Sequence, residues 1–239
     1  MLSIIVPTLN EEKYLPLLLE SIKKQEYKDY EIIVADARSK DKTVEIAKKY
    51  NCRIIPGGLP SKGRNDGARA AKGDLLFFID ADTILPNDFF IKAIEEFNAR
   101  GLDFASFGLM LADGTKAKKF ALDVFYNKYI CALEKALPHA AMGILAKKDL
   151  FLKLNGYDET IKLAEDHDLG RRAKKVANYG IIKSVKVYFN DRRFEKDGWF
   201  KTAIKYLLCE LHMLFLGPVR SNIFEYKFDH YKNKAGTKK

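Results

Sequence analysis

Short apolar runs alternate with longer, partly polar segments along the first hundred residues. The apolar runs are typical of buried strands, and the intervening segments space their apolar positions three or four apart, as an amphipathic helix does. The predicted strands are Ser3–Val6, Glu31–Ala35, Arg53–Ile55 and Leu75–Ile79, and the predicted helices are Glu12–Gln25, Asp41–Tyr50, Gly63–Lys72 and Pro86–Asn98. We expect Pro7 to end the first strand. The alternation predicts an α/β fold with a mostly parallel central sheet flanked by helices.

The second half of the chain is less regular. The further predicted elements are strands Asp103–Ala112 and Ile181–Phe189 and helices Lys116–Leu137, Phe151–Asn155, Asp166–Val176 and Trp199–Leu216. The last helix is apolar on most sides and precedes a basic tail. Two interpretations stay open: the helix packs on the domain or a second subunit, or it lies in a membrane interface. Its apolar run is shorter than the ~20 residues of a membrane-spanning helix.

Charge is unevenly distributed along the chain. The net charge is +10, yet the first 100 residues carry 16 basic and 16 acidic residues, so the whole excess lies in the remainder. A basic second half favours an anionic partner. The ordinary composition excludes collagen-like and wholly disordered chains. Three widely spaced cysteines indicate neither a disulfide framework nor a zinc site, which favours a reduced, cytosolic setting.

Polar residues follow three of the predicted strands. In open α/β sheets, ligands bind beyond the carboxyl ends of the strands, which directs attention to Thr8–Glu11, Asp36–Ser39 and Asp80–Asp82. We expect these segments to meet at one edge of the sheet. The Asp36 carboxylate suits a hydrogen bond from a nucleobase or ribose, and equally suits a turn or helix cap.

Asp80 and Asp82 follow the most apolar strand and lie two positions apart. If the extended backbone continues, both carboxylates share one face and reach one ion. Oxygen ligands of this kind suit Mg²⁺ or Mn²⁺ bridging to substrate phosphates. The alternative is that one Asp caps the next helix and the other is solvated.

The segment Lys62–Arg69 opens a predicted helix with flanking basic residues. A helix N-terminus with Lys and Arg attracts phosphate. The glycine spacing matches neither a dinucleotide-binding loop nor a Walker A loop. A solvated basic helix face is the alternative.

The segment Glu165–Asp168 places three acids before a helix. One of them could act as a general base toward an acceptor hydroxyl, whereas acids at a helix start also simply stabilise the helix dipole. His167 is a candidate base or metal ligand, although a lone histidine is more often structural. Downstream, Arg192 and Arg193 stand beside aromatic residues and suit a diphosphate or a phosphorylated acceptor.

Taken in order, these motifs resemble family 2 inverting glycosyltransferases with a GT-A fold, a Rossmann-like architecture, including dolichyl-phosphate mannose synthase-like members. The matching segments are Ser3–Glu12, Ile32–Asp36, Gly63–Asn65, Ala71–Asp74, Asp80–Asp82, Gly156–Glu159 and Glu165–Asp166. They cover roughly residues 2–195. Each is weak alone, and the ordered set is specific.

The resemblance implies roles for individual residues. Pro7, Leu9, Glu11, Asp36, Arg64 and Asp80 are implied to bind the nucleotide-sugar, Asp80 and Asp82 to hold Mn²⁺ or Mg²⁺, and Asp166 to be the catalytic base. On their own chemistry, apart from the resemblance, Glu165, His167, Arg192 and Arg193 are candidates to contact the acceptor or diphosphate. Leu9 replaces a frequent aromatic residue, and Ala37 and Arg38 alter the run after Asp36, which leaves the nucleotide open. The absence of a Gln-x-x-Arg-Trp motif favours transfer of a single sugar over polymerisation.

We therefore expect a GT-A catalytic domain at 1–195, with a nucleotide-sugar half (1–100) and an acceptor half (101–195), followed by an apolar helix and basic tail at 196–239. The expected activity is metal-dependent, inverting transfer of one hexose to a glycan or lipid-phosphate acceptor. A non-catalytic nucleotide-sugar-binding module and a nucleotidyltransferase are the alternatives. We expect no nucleic-acid partner, a cytoplasmic location reaching the inner face of the membrane through 199–239, and a homo-oligomer as one candidate assembly.

Overall fold

A single mixed sheet with helices on both faces forms the centre of the molecule. The computed structural model describes residues 1–140, 142–190, 198–221 and 223. The strands are β1 (Leu2–Thr8), β2 (Tyr30–Asp36), β3 (Arg53–Pro56), β4 (Leu75–Ile79), β5 (Thr83–Ile84), β6 (Phe104–Leu111), β7 (Gly143–Lys147) and β8 (Tyr179–Phe189). The helices are α1 (Leu15–Lys23), α2 (Thr43–Lys49), α3 (Pro60–Ala70), α4 (Phe89–Ala99), α5 (Lys116–Leu122), α6 (Lys128–Ala132), α7 (Lys148–Lys153), α8 (Glu165–Lys174) and α9 (Trp199–Phe215).

The sheet has the strand order β3-β2-β1-β4-β7-β6-β8-β5. The first four strands pair in parallel, as predicted from the sequence. The other half is mixed, because β7 runs antiparallel to both β4 and β6, and β5 runs antiparallel to β8. Strands β6 and β8 pair in parallel and run in the same direction as the first four, so the sheet is mostly parallel as predicted, and only β5 and β7, which were not predicted, are reversed.

Pro7 does not end the first strand, contrary to expectation. It pairs in register with Ala35, one residue before β1 ends at Thr8. The Thr8 carbonyl accepts a hydrogen bond from the Ala37 amide at 2.8 Å, so Thr8 faces β2. By alternation Pro7 faces β4, where the ladder already ends at Ile5. A residue without an N–H is tolerated there because no neighbouring carbonyl awaits it.

Two layers of apolar side chains, one on each face of the sheet, form the core. Phe77 and Phe78 are successive residues of β4 and point into opposite layers. Phe77 packs with Phe89 and Phe107, at centroid distances of 5.5 and 5.7 Å, whereas Phe78 stacks 4.8 Å from Phe151. Burying one such ring contributes roughly 1.5–3 kcal/mol. The wholly apolar sequence of β4 thus reflects a strand covered on both faces.

The predicted helix Lys116–Leu137 is shorter and interrupted. It consists of α5, a π-helical turn at Asp123–Asn127, and α6, which ends at Ala132. The π turn directs Asn127 inward, where its amide accepts from the Leu109 N–H and donates to the Leu109 carbonyl, both at 2.8 Å. Beside this contact, the pairing of β6 with β8 shifts register between Phe107 and Gly108. The side chain therefore satisfies backbone groups at an irregularity of the sheet.

One helix prediction is wrong at its start. Pro86 does not start a helix: α4 begins at Phe89 after Asp88, whose φ is +61°. The Pro86 carbonyl instead accepts a hydrogen bond from Gln25 Nε2 at 2.9 Å. By contrast, Gly156 follows α7 with φ +63°, in keeping with its expected place after the helix end.

Helix α9 packs through one side and exposes the other. Cys209 and Met213 are buried against Leu163 and Val219. Across the described ranges of the chain, no helix combines the length and apolar character needed to cross a bilayer. The division of the chain at residue 195 stays a prediction.

Candidate functional site

Arg64 lies at the centre of a cluster of acidic side chains. Helix α3 starts at Pro60, and Arg64 lies one turn further on, almost completely buried. Its Nη2 atom is 2.7 Å from Asp80 Oδ1, and its Nη1 atom is 2.8 Å from Glu165 Oε1 and 3.6 Å from Asp166 Oδ1. These four residues, the Arg64 cluster, unite the end of β4 with the start of α8.

Local backbone features hold the cluster together. Asn65 Nδ2 donates to the Tyr157 carbonyl at 3.0 Å and to Glu159 Oε1 at 2.9 Å, and its Oδ1 atom accepts from the Tyr157 N–H at 2.8 Å. A Cβ on Gly156 would collide with Asn65 Oδ1, which explains the glycine at this position. The Tyr157 ring lies 5.3 Å from the Arg64 guanidinium carbon. Two motifs about 90 residues apart in sequence are thus bound to each other.

Burial and charge shift the titration of the cluster. Burial raises the pKa of Asp166 to about 7, Glu165 and Asp80 add to this effect, and the Arg64 guanidinium opposes it. Burial alone would lower the pKa of Arg64, but Asp166 and Asp80 raise it well above its ordinary value. One permanent cation therefore faces three carboxyl groups. Such an excess of oxygen donors fits a further proton or a hard cation.

Asp80 and Asp82 are not arranged as the sequence predicted. The backbone does not continue extended beyond β4, because Thr83 Oγ1 donates to the Asp80 carbonyl at 2.7 Å and the chain turns. Asp80 joins the Arg64 cluster, whereas Asp82 lines a cavity of about 40 Å³ together with Tyr14 and Asn190. The extended backbone on which the shared face depended is therefore absent, and the metal-binding role of the two carboxylates stays a prediction. Their oxygen chemistry still fits Mn²⁺ or Mg²⁺, with Asp80 one-third exposed and Asp82 partly exposed.

Asp36 is engaged by its own neighbourhood. Its Oδ1 atom accepts from Thr8 Oγ1 at 3.1 Å and from Ser39 Oγ at 2.5 Å, and its Oδ2 atom accepts from the Ser39 N–H at 2.9 Å. The residue is 9% exposed. The carboxylate thus orders the turn after β2. A carboxylate offers about four acceptor positions, so these bonds do not use all of its capacity.

The segments after β1 and β2 form one connected rim. The Asn10 N–H donates to Ser39 Oγ at 2.9 Å, and the Glu11 N–H donates to Thr43 Oγ1 at 2.7 Å. Pro7 and Leu9 are half-buried beside this rim. The expected meeting of these two segments is confirmed, while their role in nucleotide binding stays a prediction.

Sequence reasoning missed a second polar cluster. His167 Nδ1 contacts Glu210 on α9, Arg171 Nη2 donates to Glu210 Oε2 at 3.1 Å, and His139 Nδ1 is 3.7 Å from Glu210 Oε1. Burial lowers the pKa of His139 well below its ordinary value, with His167 and Arg171 adding to the effect. Burial raises the pKa of Glu210, but bonds from His167 and Arg171 outweigh it and lower the pKa overall. We call His139, His167 and Glu210 the His–Glu cluster.

One signal for this cluster was present in the sequence. Glu210 is a carboxylate inside the most apolar helix, and such a residue normally has a partner. His167 and Arg171 lie four positions apart on α8 and share a face. Nothing in the sequence pointed to His139. The candidates Arg192 and Arg193 lie outside the described residues.

Comparison with known proteins assigns the family and the fold. The model of Glycosyl transferase family 2 matches residues 3–143, more than half of the chain. The poly(ribitol-phosphate) β-N-acetylglucosaminyltransferase TarS of Staphylococcus aureus (strain Mu50 / ATCC 700699) is 37% identical over 201 residues, which cover 78% of this chain. The chain spans only 35% of the length of TarS.

Two solved structures are similar in fold. Staphylococcus aureus TarS 1–349 in complex with UDP-GlcNAc aligns with a TM-score of 0.63 and 23% identity, covering 96% of this chain and 76% of that one. The mannosyltransferase PcManGT from Pyrobaculum calidifontis in complex with GDP-Man and Mn²⁺ aligns with a TM-score of 0.68 and 17% identity, covering 87% and 61%. The closer assignment to the dolichyl-phosphate mannose synthase-like group stays a prediction. On the match of the family model and the identity to TarS, the chain belongs to glycosyl transferase family 2.

Proposed function

We propose that this chain transfers one sugar from a nucleoside-diphosphate sugar to an acceptor hydroxyl, with inversion at the anomeric carbon and dependence on a divalent cation. The observation that carries this proposal is the Arg64 cluster. It joins a carboxylate at the end of a central strand to a buried acid of raised pKa at a helix start. A donor-binding group and a base are needed side by side in such a reaction.

The donor is proposed to bind at the rim formed after β1, β2 and β4. Asp36 would take the base or ribose, and Pro7, Leu9 and Glu11 border the same rim. Asp80 and Asp82 would hold Mn²⁺ or Mg²⁺. That ion would neutralise charge developing on the departing diphosphate. Both terminal nitrogens of Arg64 already contact carboxylates, so we assign this residue chiefly to positioning Asp80 and Asp166.

Asp166 is the proposed general base. A carboxyl with a pKa of about 7 is a stronger base than an ordinary aspartate and is still substantially ionised at neutral pH. It takes the proton of the acceptor hydroxyl as the oxygen bonds to the anomeric carbon. The bond from that carbon to the diphosphate oxygen breaks at the same time, and the nucleoside diphosphate leaves with the bonding electrons. Attack from the opposite side inverts the configuration.

For the acceptor we propose a phosphate-bearing chain or lipid-linked glycan. The matched relative TarS is named for poly(ribitol-phosphate). The whole net charge of +10 lies beyond residue 100, which suits a polyanion. If the attacking group is instead a lipid phosphate, it is already ionised and Asp166 is dispensable as a base.

Contact with the inner face of the cytoplasmic membrane is part of the proposal. Helix α9 exposes Leu207, Leu208, Leu211 and Leu214 on one face, and Phe120 and Phe125 are exposed on and after α5. Exposed leucines and aromatics near basic residues suit a headgroup interface. Arg220, which follows α9, is 55% exposed and forms an ion pair with Asp158 at 2.8 Å.

The test is a screen of sugar nucleotides with Mn²⁺ and Mg²⁺, read as released nucleoside diphosphate with and without acceptor. For the preferred donor, Asp166→Asn is expected to lower kcat by ~10²–10⁴-fold with little change in donor KM. Asp29→Asn is the matched control, because the Asp29 side chain is 67% exposed and is not part of the Arg64 cluster. A variant that loses donor binding and keeps turnover at saturation would contradict the assignment of the base. No release with any donor would contradict the proposed transfer itself.

A further inference from the structure

The His–Glu cluster lies where three separate elements meet. His139 precedes β7, His167 is the third residue of α8, and Glu210 is on α9. We propose that this cluster binds one divalent transition-metal ion, zinc being the natural occupant, through one imidazole nitrogen of each histidine and one carboxylate oxygen.

The geometry is close to that of a metal site. One ligand atom from each residue lies within 4.8 Å of the other two. The two imidazole centroids are 4.0 Å apart, and His139 Nδ1 is 3.7 Å from Glu210 Oε1. In a tetrahedral zinc site with bonds of about 2.1 Å, ligand atoms stand about 3.4 Å apart. Side-chain rotations that separate His167 Nδ1 from Glu210 Oε1 would therefore set the three ligand atoms around an ion, with a fourth position left for water.

A second observation points to a ligand at this place. His167 Nδ1 and Glu210 Oε1 are both buried and are in direct contact with each other. Each points at the other, and the three side chains are only 14 to 19% exposed. Two imidazole nitrogens directed at one buried carboxylate oxygen form a donor set that suits a divalent cation, which would enter as the His167–Glu210 contact opens.

The surrounding contacts resemble the support that metal ligands receive. The Tyr126 hydroxyl is 3.0 Å from His139 Nε2, and Arg171 donates to the outer oxygen of Glu210 at 3.1 Å. These partners use the far nitrogen of His139 and the far oxygen of Glu210. They leave Nδ1 and Oε1 directed inward, which is how outer hydrogen bonds orient ligands in known sites.

The site would fasten α9 to the helix that carries Asp166. His167 immediately follows Asp166, so an ion bound here fixes the backbone at the proposed base. It is distinct from the donor cation proposed at Asp80 and Asp82. Its occupancy can be measured without any sugar nucleotide, so its failure and the failure of the proposed transfer are distinguishable.

The test measures metal retention and a spectroscopic signature on the full chain. Protein stripped with chelator is incubated with Zn²⁺, desalted and analysed for bound metal, and a second sample receives Co²⁺. We expect one zinc per chain and the visible absorption of tetrahedral cobalt. Glu210→Gln and His167→Gln should lose both. The matched control is His212→Gln, since His212 lies on the same helix with its Nδ1 3.0 Å from the Gly217 carbonyl, and it should bind as the wild type does.

Further variants keep the result decisive. Tyr126→Phe removes one supporting hydroxyl and leaves the ligands, so it should fold and weaken zinc binding by roughly tenfold. Asp80→Asn/Asp82→Asn should retain zinc fully. A wild-type chain that retains no zinc and shows no cobalt spectrum would reduce the cluster to hydrogen-bonded side chains and overturn the proposal. If Tyr126→Phe and a folded Glu210→Gln both bound zinc as the wild type does, the metal would lie elsewhere in the chain. That result would overturn the proposal too.

Discussion

At the scale of single residues, the Arg64 cluster shows how burial changes chemistry. One guanidinium with two of its nitrogens on carboxylates holds three acids in one place, and the protein interior sets their proton affinity. Asp166 is the residue most affected, since burial outweighs the attraction of Arg64. Because burial disfavours the charged form of Asp166, this carboxylate holds a proton more tightly and is a stronger base than an exposed aspartate.

The raised pKa of Asp166 predicts the pH dependence of the reaction. Only the ionised carboxylate accepts a proton, so kcat/KM should rise with pH and level off above about 7, the pKa of this group. The measurement is a pH profile of kcat/KM, with Asp29→Asn as the control. In Asp166→Asn this ascending limb should vanish along with most of the rate. A wild-type profile that is flat across neutral pH would contradict the assignment.

The raised pKa of Asp166 also makes folding stability depend on pH. The dependence is opposite to that of a salt-bridged aspartate, whose pKa is lowered. The folded state binds the Asp166 proton more tightly than the unfolded state, so this group favours folding while it is protonated and loses that contribution as pH rises through about 7. The gain in Tm from Asp166→Asn should therefore be larger at alkaline than at acid pH.

The sequence singled out most of these residues, but it did not show which side chains they contact in the folded protein. Asp80, Glu165 and Asp166 could be singled out because they stand at predicted element ends. Their shared attachment to Arg64 could not, because it depends on where α8 returns to the sheet about 85 residues after β4. His139 and Glu210 carried no local motif, and only tertiary packing joins them to His167.

At the scale of elements, the regular first half was predictable and the second half was not. Alternating apolar runs located β1 to β4 because each is separated from the next by a helix. Strand β7 has five residues and is followed directly by α7, so no turn residues mark its end. Strand β5 has only two residues, too few for any periodicity.

The contribution of Asn127 to the π-helical turn between α5 and α6 can be tested by mutation. Asn127 satisfies both backbone groups of Leu109, so Asn127→Ala should leave a buried N–H and carbonyl unpaired. We expect a loss of roughly 2–6 kcal/mol in the free energy of unfolding, about 1–3 for each of the two unsatisfied groups. Urea denaturation measures it.

The control for this prediction is Asn87→Ala, since Asn87 is exposed in the turn before α4 and should change stability little. A loss at Asn127 no greater than that of the control would mean that the π turn is not held by this side chain.

At the scale of the whole molecule, the exposed face of α9 is the feature that fold alone does not explain. Leu207, Leu208, Leu211 and Leu214 recur at helical spacing while Cys209 and Met213 pack inward. A helix with one packed and one exposed apolar side is suited to a second contact.

That contact predicts membrane association. The full chain should sediment with vesicles that contain anionic lipid, and Leu208→Glu/Leu211→Glu should abolish this because charge opposes burial of the face. Leu17→Glu on α1 is the matched control, since Leu17 and Leu208 are each 49% exposed. Equal sedimentation of the double variant would contradict the membrane role. Concentration-dependent assembly without lipid would assign the face to a second copy.

The position of β4 carries a consequence for how such enzymes diversify. One edge of this strand joins the parallel β1, and its other edge joins the antiparallel β7, so it is the seam between two differently built halves. Asp80 stands at the tip of that seam. Insertions, exchanged loops or appended modules beyond it can therefore change the acceptor side of the molecule while Asp80 keeps its support from the parallel strands of the first half.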